Sequence, residues 1–402
     1  MKVKKVSADF VVAGHICLDV IPEIPGLANG LGDLLVPGRL TAIGPALMST
    51  GGAVSNTGLA LHRLGFAVQL MGKVGDDLFG KAILNGISGY GSALTEGMIL
   101  TPGEISSYTV VISPPGVDRV FLHATGANDT FCAEDIQTDL LEGTKLFHFG
   151  YPPLMRRMFE NNGKELVRLL LKIKALGATV SLDTAMPDPA SPAGRADWRK
   201  ILTHVLPFVD IFLPSYEEIL FMLHPEIYEK MKREYAGKDL LSYADGSMLS
   251  SMAEELLGMG AAVVGFKLGE YGLYIRTSND TERLSAMGAC APSCTDNWMN
   301  RELLVPCFQV EAVGTTGAGD CTIAGFLVGV MNRLTIEHTM LGAVGVGACN
   351  VERADAVSGV RSWKEVLSRI HEGWPQSGHM IPLDGWRILD LEGLRLYEQN
   401  HE

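Results

Sequence analysis

Four consecutive residues, Gly317, Ala318, Gly319 and Asp320, have the types and spacing best suited to chemistry in this sequence. A strand-like segment precedes them and an apolar stripe at helical spacing follows over 323–331, so they should begin a helix. The unpaired N–H groups and the dipole at a helix start bind anions. A carboxylate beside them suits a base that accepts a proton from a hydroxyl attacking a phosphoryl group. An acid that only caps a helix after a glycine turn is the equally weighted alternative.

Two better-known phosphate-binding patterns do not occur in the chain. There is no G-x-x-x-x-G-K-[ST] segment and no G-x-G-x-x-G segment that follows a strand. These absences argue against a P-loop nucleotide hydrolase and against a dinucleotide-binding dehydrogenase.

The composition narrows the class of protein further. The chain has 402 residues, of which 47% are hydrophobic and 20% charged, so disorder is excluded. The formal net charge of −13 argues against a nucleic-acid partner. The sequence contains no run of about 18 apolar residues, so it predicts no membrane span. The seven cysteines are odd in number and scattered, which favours reduced thiols and a cytoplasmic protein.

The elements that position the glycine loop follow a βαβ rhythm. Short apolar runs such as 10–18 and 146–150 alternate with helical stretches such as 162–177, which predicts an α/β fold. We expect a mostly parallel sheet flanked by helices on both faces. Two segments depart from this rhythm, an irregular one at 278–307 and a tail from about 374.

Two separate signatures resemble the PfkB, or ribokinase-like, family of carbohydrate kinases. VGTTGAGD at 313–320 resembles the family's D-T-x-G-A-G-D signature, and TGGAVSNTGLALHRLGFAVQLMGKVGDDLFG at 50–80 resembles its N-terminal signature. HATGAND, FLPSYEEI and FKLGEYG also occur in the family's order. The resemblance covers roughly residues 8–370.

The resemblance implies an architecture and an activity. It implies a kinase domain over 1–372, with a small β-sheet lid formed by about 17–48 and 104–124, an insertion at 278–307 and an extension at 373–402. The family transfers the γ-phosphoryl group of ATP to a hydroxyl, usually a primary alcohol of a sugar or nucleoside. By resemblance, Asp320 is the catalytic base, and Gly317, Ala318 and Gly319 form the anion hole.

The same resemblance assigns residues to the acceptor sugar. Asp19, Gly51, Gly52 and Asn56 match positions that bind sugar hydroxyls. A carboxylate and an amide can hold neighbouring hydroxyls by paired hydrogen bonds, and the glycines let a ligand approach the backbone. Considered one at a time, Asn56 is better explained as a residue that caps the start of a helix, and Asp19 as an acid in the turn at the end of a strand.

Nucleotide and magnesium positions follow in the same way. Lys267, Gly269 and Gly272 lie where the family binds nucleotide, and 342–353, which contains Asn350, matches part of its adenine pocket. Glu218 matches the acid that positions Mg²⁺ through water, a role consistent with the preference of Mg²⁺ for oxygen ligands.

The sequence departs from the family pattern at three positions. Ser215 replaces the asparagine of the N-x-x-E motif that ends at Glu218, which puts that motif's part in magnesium or phosphate binding in doubt. Gly314 replaces the leading aspartate of D-T-x-G-A-G-D, an acid associated with a monovalent cation, and this makes potassium activation doubtful. Thr322 replaces a phenylalanine.

Several alternatives stay open at this point. A nucleoside kinase of the same family would need apolar or aromatic groups beside the sugar site, and a non-catalytic sugar or nucleotide sensor would explain Ser215 and Gly314. Arg119 on the expected lid is a candidate contact for a phosphorylated sugar. A homodimer through the lid is also expected, because lid sheets expose one face.

Overall fold

The computed structural model describes residues 8–26, 30–115, 119–235 and 239–399. In chain order the strands are β1 (Phe10–Gly14), β2 (Cys17–Pro22), β3 (Ala46–Gly51), β4 (Val68–Met71), β5 (Lys73–Gly75), β6 (Ile99–Thr101), β7 (Tyr108–Ile112), β8 (Val120–Ala124), β9 (Leu146–Gly150), β10 (Thr179–Asp183), β11 (Ile211–Phe212), β12 (Val263–Lys267), β13 (Leu273–Thr277), β14 (Glu302–Val305), β15 (Arg387–Leu391) and β16 (Leu394–Glu398). The helices are α1 (Ala53–Arg63), α2 (Leu78–Ser88), α3 (Arg156–Lys174), α4 (Trp198–Val205), α5 (Tyr216–Leu223), α6 (Pro225–Glu234), α7 (Gly246–Gly258), α8 (Thr281–Ser285), α9 (Thr295–Trp298), α10 (Ala318–Met331), α11 (Ile336–Val351) and α12 (Trp363–His371).

Ten strands form the main sheet, in the order β15-β16-β14-β13-β12-β11-β10-β9-β1-β4. The six strands from β4 to β12 run parallel, and β13, β14, β16 and β15 continue the sheet in antiparallel pairs. The prediction of a mostly parallel sheet is therefore confirmed.

Helices cover both faces of this sheet, as predicted, because its strands are apolar on both sides. In β1, Phe10 and Val12 pack into one core, with residues of α1, α10, α11 and α12. Val11 and Ala13 point to the other face and pack with residues of α3, α4, α5 and α7.

The smaller sheet is the predicted lid. Its order is β3-β2-β7-β8, so it draws on the two segments expected to form it. β7 and β8 pair antiparallel, as the sequence predicts, although residues 116–118 of their connection lie outside the described residues. We use the term lid for these four strands.

The last part of the chain extends the main sheet. The expectation of an irregular segment at 278–307 is wrong, because this segment contains α8, α9 and β14, and β14 is fully buried in the main sheet. β15 and β16 form a hairpin in the tail, and β16 pairs with β14. Apolar burial and an ion pair hold β16 against β14: Leu396 of β16 is fully buried, and Arg301 Nε lies 2.7 Å from Glu398 Oε1. No helix within the described residues has both the length and the hydropathy that crossing a membrane requires.

Candidate active site

Functional side chains meet at one edge of the main sheet, where its parallel strands end. His15 follows β1 and Tyr151 follows β9, while Asp183 is the last residue of β10. Lys267 ends β12 at the same edge. A cavity of about 1330 Å³ lies between this edge and the lid. Ligands of open α/β sheets bind outside the carboxyl ends of the strands, so this cavity is the candidate active site.

The glycine loop forms one wall of the cavity. Gly317 adopts φ +72°, and a Cβ there would lie 2.4 Å from the carbonyl oxygen of Ala356, so only glycine fits. Ala318 and Gly319 open α10, whose first N–H groups have no acceptor within the helix. A Cβ on Gly319 would lie 3.3 Å from Lys267 Cδ, so the lysine stem passes beside these amides. The loop therefore has the composition of an anion site with a cation next to it.

Asp320 lies in the first turn of α10 and is only 4% exposed. The Tyr151 hydroxyl is 2.8 Å from both of its carboxylate oxygens. Asn56 Nδ2 donates to Oδ2 at 3.0 Å, and Thr57 Oγ1 donates to Oδ1 at 3.2 Å. Three donors thus fix the orientation of one carboxylate.

A buried ion pair lies next to the glycine loop. Lys267 Nζ is 2.7 Å from Asp183 Oδ1, and both side chains are withdrawn from solvent. Burial alone would lower the pKa of Lys267, but the carboxylates of Asp183, Glu218 and Asp320 outweigh burial and raise it. The lysine therefore stays charged. Burial raises the pKa of Asp183, and the ammonium of Lys267 opposes this effect.

The predicted acceptor residues lie where the lid meets α1: Asp19 and Gly51 belong to the lid, and Gly52 and Asn56 lie at the start of α1. A Cβ on Gly51 would lie 2.2 Å from Asp19 Oδ2, so the carboxylate rests against the bare backbone. Gly52 adopts φ +84°, which favours glycine, and begins α1. Asn56 Oδ1 is buried and has no hydrogen-bond partner among the described residues. An unpaired buried acceptor costs stability unless a ligand donates to it, so this oxygen suits a substrate hydroxyl.

A chain of polar contacts runs across the cavity-facing side of the lid and continues to the core. Cys17 Sγ lies 3.3 Å from Asp19 Oδ1, and Thr109 Oγ1 lies 3.0 Å from His123 Nδ1. His15 Nε2 is 3.2 Å from His123 Nε2, which connects the core to β8. Burial lowers the pKa of His15 and of His123, so the two rings can share one proton as neutral imidazoles. Burial also raises the pKa of Asp19.

The model of the pfkB family of carbohydrate kinases matches residues 9–363. The chain belongs to this family. It is a carbohydrate kinase, as the two sequence signatures indicate, and the kinase fold spans nearly its whole length.

Curated relatives of this kinase are sugar kinases. It is 27% identical over 292 residues to a protein of Archaeoglobus fulgidus described as an uncharacterized sugar kinase, covering 72% of this chain and 93% of that protein. It is 25% identical over 367 residues to probable fructokinase-4 of Arabidopsis thaliana, covering 88% of this chain and 94% of the relative.

Solved structures share the fold of this kinase. The ribokinase of Arabidopsis thaliana, complexed with ribose and ATP, aligns with a TM-score of 0.66 at 16% identity, over 90% of this chain and 98% of that one. The fructokinase of Xylella fastidiosa with bound ATP aligns with a TM-score of 0.64 at 20% identity, over 91% and 99%. The ribokinase-like fold is thereby confirmed.

The residues predicted to bind nucleotide lie apart from one another. Lys267 lines the cavity of the kinase, whereas Gly269, Gly272 and Asn350 do not. Gly269 and Gly272 form the turn between β12 and β13, and a Cβ on Gly272 would lie 2.0 Å from the Val305 carbonyl oxygen. Asn350 is buried behind the glycine loop and donates from Nδ2 to the Thr316 carbonyl at 2.9 Å. These three positions support the loop and the turn, and their contact with a nucleotide stays a prediction.

The structure also places the residues that depart from the family pattern. Ser215 begins α5, and its N–H donates to Glu218 Oε2 at 2.9 Å, so the acid is tied to its own helix start. The Arg119 guanidinium donates to the hydroxyls of Thr316 at 2.6 Å and Thr315 at 2.8 Å. Arg119 therefore lies next to the glycine loop in the cavity.

Sequence reasoning missed three residues of this site: Tyr151, Thr57 and Asp183. Tyr151 and Asp183 stand where parallel strands end, which is a signal that could have found them. Thr57 directly follows Asn56, but nothing in its own sequence context shows that it reaches Asp320.

Proposed function

We propose that this kinase transfers the γ-phosphoryl group of ATP to a hydroxyl of a sugar, with Asp320 as the catalytic base. The carrying observation is the position of Asp320: it is buried, oriented by three donors and placed in the first turn of a helix behind Gly317 and Gly319. Relatives whose structures contain ATP, or ATP with Mg²⁺, support the choice of donor.

The reaction would proceed by in-line transfer between the two ends of the cavity. Asp320 accepts the proton of the substrate hydroxyl, whose oxygen forms a bond to the γ-phosphorus as the bond to the β,γ-bridging oxygen breaks. The N–H groups of Gly319 and its neighbours stabilise the charge on the phosphoryl oxygens, and Lys267 adds a positive charge. ADP and a sugar phosphate leave, and Asp320 returns its proton to solvent.

The acceptor would be held by groups of the lid and of α1. The Asp19 carboxylate can accept hydrogen bonds from two neighbouring hydroxyls of the sugar, and Asn56 Oδ1 can accept a hydrogen bond from a further hydroxyl. Apolar side chains, among them Phe121, Phe159 and Met186, line the same cavity. This apolar wall favours a nucleoside as the second candidate substrate, because a flat base needs such contacts beside its ribose.

Magnesium fits the residues beside the glycine loop. Asp183 Oδ2 is buried without a partner among the residues that the structure describes, and Glu218 lines the cavity. Both offer the oxygen atoms that Mg²⁺ prefers, either directly or through water. The bound ion would neutralise charge on the phosphates. Thr184 Oγ1, which lies 2.9 Å from Glu218 Oε2, keeps this acid in place.

Asp320→Asn tests the proposal. The amide cannot accept the proton, so we expect turnover to fall by at least about 10³-fold, while sugar binding is largely kept. ADP release is measured over a panel of sugars and nucleosides with ATP and Mg²⁺, and binding is measured by calorimetry.

Asp188→Asn is the matched control, because Asp188 is an exposed acid at the rim of the same cavity. It should keep the activity of the wild type. Near-normal kcat in Asp320→Asn would show that the base is assigned wrongly, and turnover restricted to nucleosides would select the second substrate.

We also propose a homodimer that forms through the outer face of the lid. Paired residues of neighbouring strands share a face, and Asp19, Thr109 and His123 form a row that faces the cavity. The next row along the strands must face outward. It is entirely apolar and consists of Met48, Val20, Val110 and Leu122.

A further inference from the structure

Tyr151 makes the shortest contacts of Asp320 but belongs to neither family signature. Its hydroxyl lies 2.8 Å from Oδ1 and 2.8 Å from Oδ2, so one phenol donor is shared by both oxygens. The backbone around it is fixed: its N–H donates to the Asp183 carbonyl at 3.2 Å, and its own carbonyl accepts from Leu154 N–H at 3.0 Å. The hydroxyl is thus held over the carboxylate from the end of β9.

The conformation of Tyr151 is costly for its residue type. It adopts φ +66° and ψ +46°, the left-handed region in which bulky side chains are rare and glycine is favoured. Among the described non-glycine residues with positive φ, it alone lines the cavity. Strain of this kind persists where the surroundings enforce it, and it concentrates at functional sites.

We propose that Tyr151 is a positioning residue that fixes the orientation of the Asp320 carboxylate and aims its free lone pairs at the substrate hydroxyl. The inference rests on the proposed function, because it presupposes that Asp320 is the base. Tyr151, Asn56 and Thr57 together satisfy most of the acceptor sites of the carboxylate. The direction that stays open is the one from which the substrate can donate.

Asp320 needs such a donor because of the charges around it. The charged and titratable groups near it or Tyr151 on other elements are Cys17, Asp19, Asp183, Glu218, Lys267, His15 and His123, and Arg119 is bonded to the loop that precedes Asp320. Three of these are carboxylates, so a neutral donor on Asp320 offsets part of their repulsion without adding a charge. Burial, followed by the charge of Asp320, raises the pKa of the Tyr151 phenol, which therefore stays a donor at working pH.

Tyr151→Phe removes the hydroxyl and keeps the ring. We expect kcat to fall by about tenfold because the base loses its orientation. The acidic midpoint of the kcat–pH profile should rise by about one pH unit because a carboxylate loses a hydrogen-bond donor. The KM values for sugar and ATP should stay near those of the wild type. Replacing Tyr151 with 3-fluorotyrosine, a stronger donor of similar size, should move the midpoint to lower pH.

Tyr274→Phe is the control. It deletes a phenol that is also bonded to a buried carboxylate, Glu302, at 2.9 Å, but outside the cavity. It should leave kcat and the pH midpoint unchanged.

The outcomes separate this inference from the proposed function. If Asp320→Asn is inactive but Tyr151→Phe keeps the kcat and pH midpoint of the wild type, the role of Tyr151 is refuted and the proposed function stands. If Asp320→Asn stays active, the proposed function itself fails. If Tyr151→Phe does not fold, the 3-fluorotyrosine variant decides, because an unmoved midpoint there also refutes the role.

Discussion

At the scale of single residues, His148 shows how burial couples protonation to stability. It lies in β9, is fully buried, and its Nδ1 is 3.0 Å from Ser181 Oγ. Burial, with a smaller contribution from the charge of Lys267, lowers its pKa to about 3. The unfolded chain has a histidine pKa near 6.5, so at pH values between about 3 and 6.5 this histidine is protonated in the unfolded chain but neutral in the folded protein.

The sign of the effect follows from this difference. The neutral His148 leaves stability intact above pH of about 6.5, and stability is lost as the pH falls from there toward 3. When the pH is lowered from 7 to 5, the free energy of unfolding should fall by about 2 kcal/mol less in His148→Gln than in the wild type. Urea unfolding at both pH values measures this difference. His204→Gln, at an exposed site, should behave like the wild type, and equal losses in all three proteins would contradict the prediction.

At the scale of elements, the segment before α10 packs directly on the segment after α11. A Cβ on Gly314 would lie 2.9 Å from both Cα and O of Ala354, and Gly314 N donates to the Val351 carbonyl at 3.2 Å. Gly317 is pressed against Ala356 in the same way. The carboxylate associated with a monovalent cation is thus missing, and backbone fills the space beside Gly314.

This packing predicts that the kinase does not respond to potassium. At matched ionic strength, kcat in KCl should equal kcat in tetramethylammonium chloride, because Gly314 supplies no carboxylate to hold a cation and the backbone of Ala354 lies against it. Gly314→Asp should lower the unfolding midpoint, since its Cβ overlaps Ala354, and it should not create a potassium response. A rise of kcat specific to K⁺ in the wild type would refute this prediction.

How much of these elements can be predicted from sequence depends on how local their signals are. The glycine loop and the Gly51–Gly52 turn are contiguous, and the strand rhythm shows in short apolar runs, so the fold and much of the site follow. Tyr151 and Asp320 are 169 positions apart in sequence, and Thr57 and Asp320 are 263 apart, so only the folded structure reveals those contacts. The pairing of β14 with the tail strand β16 is equally non-local.

At the scale of the whole molecule, the lid presents apolar surface that the monomer does not cover. Met48 is 62% exposed and Leu122 is 54% exposed, at the two ends of the outward row. Their strands, β3 and β8, are also the two edges of the lid sheet, where backbone groups lack partners within the sheet. An apolar face bounded by two open edges is the type of surface that a second copy can bury.

A homodimer through this face would have twice the 43.3 kDa mass of the chain. We expect light scattering to show that mass at micromolar concentration, and Leu122→Lys or Met48→Lys to shift it toward the monomer by placing a charge in the contact. Leu171→Lys changes a residue that is 46% exposed on α3, outside the lid, and should leave the mass unchanged. Because Met48 and Leu122 face away from the cavity, both variants should keep the fold and the groups that line the cavity. A folded variant with the mass of the monomer would therefore locate the interface on this face. A wild-type mass near 43.3 kDa at every concentration would refute the dimer.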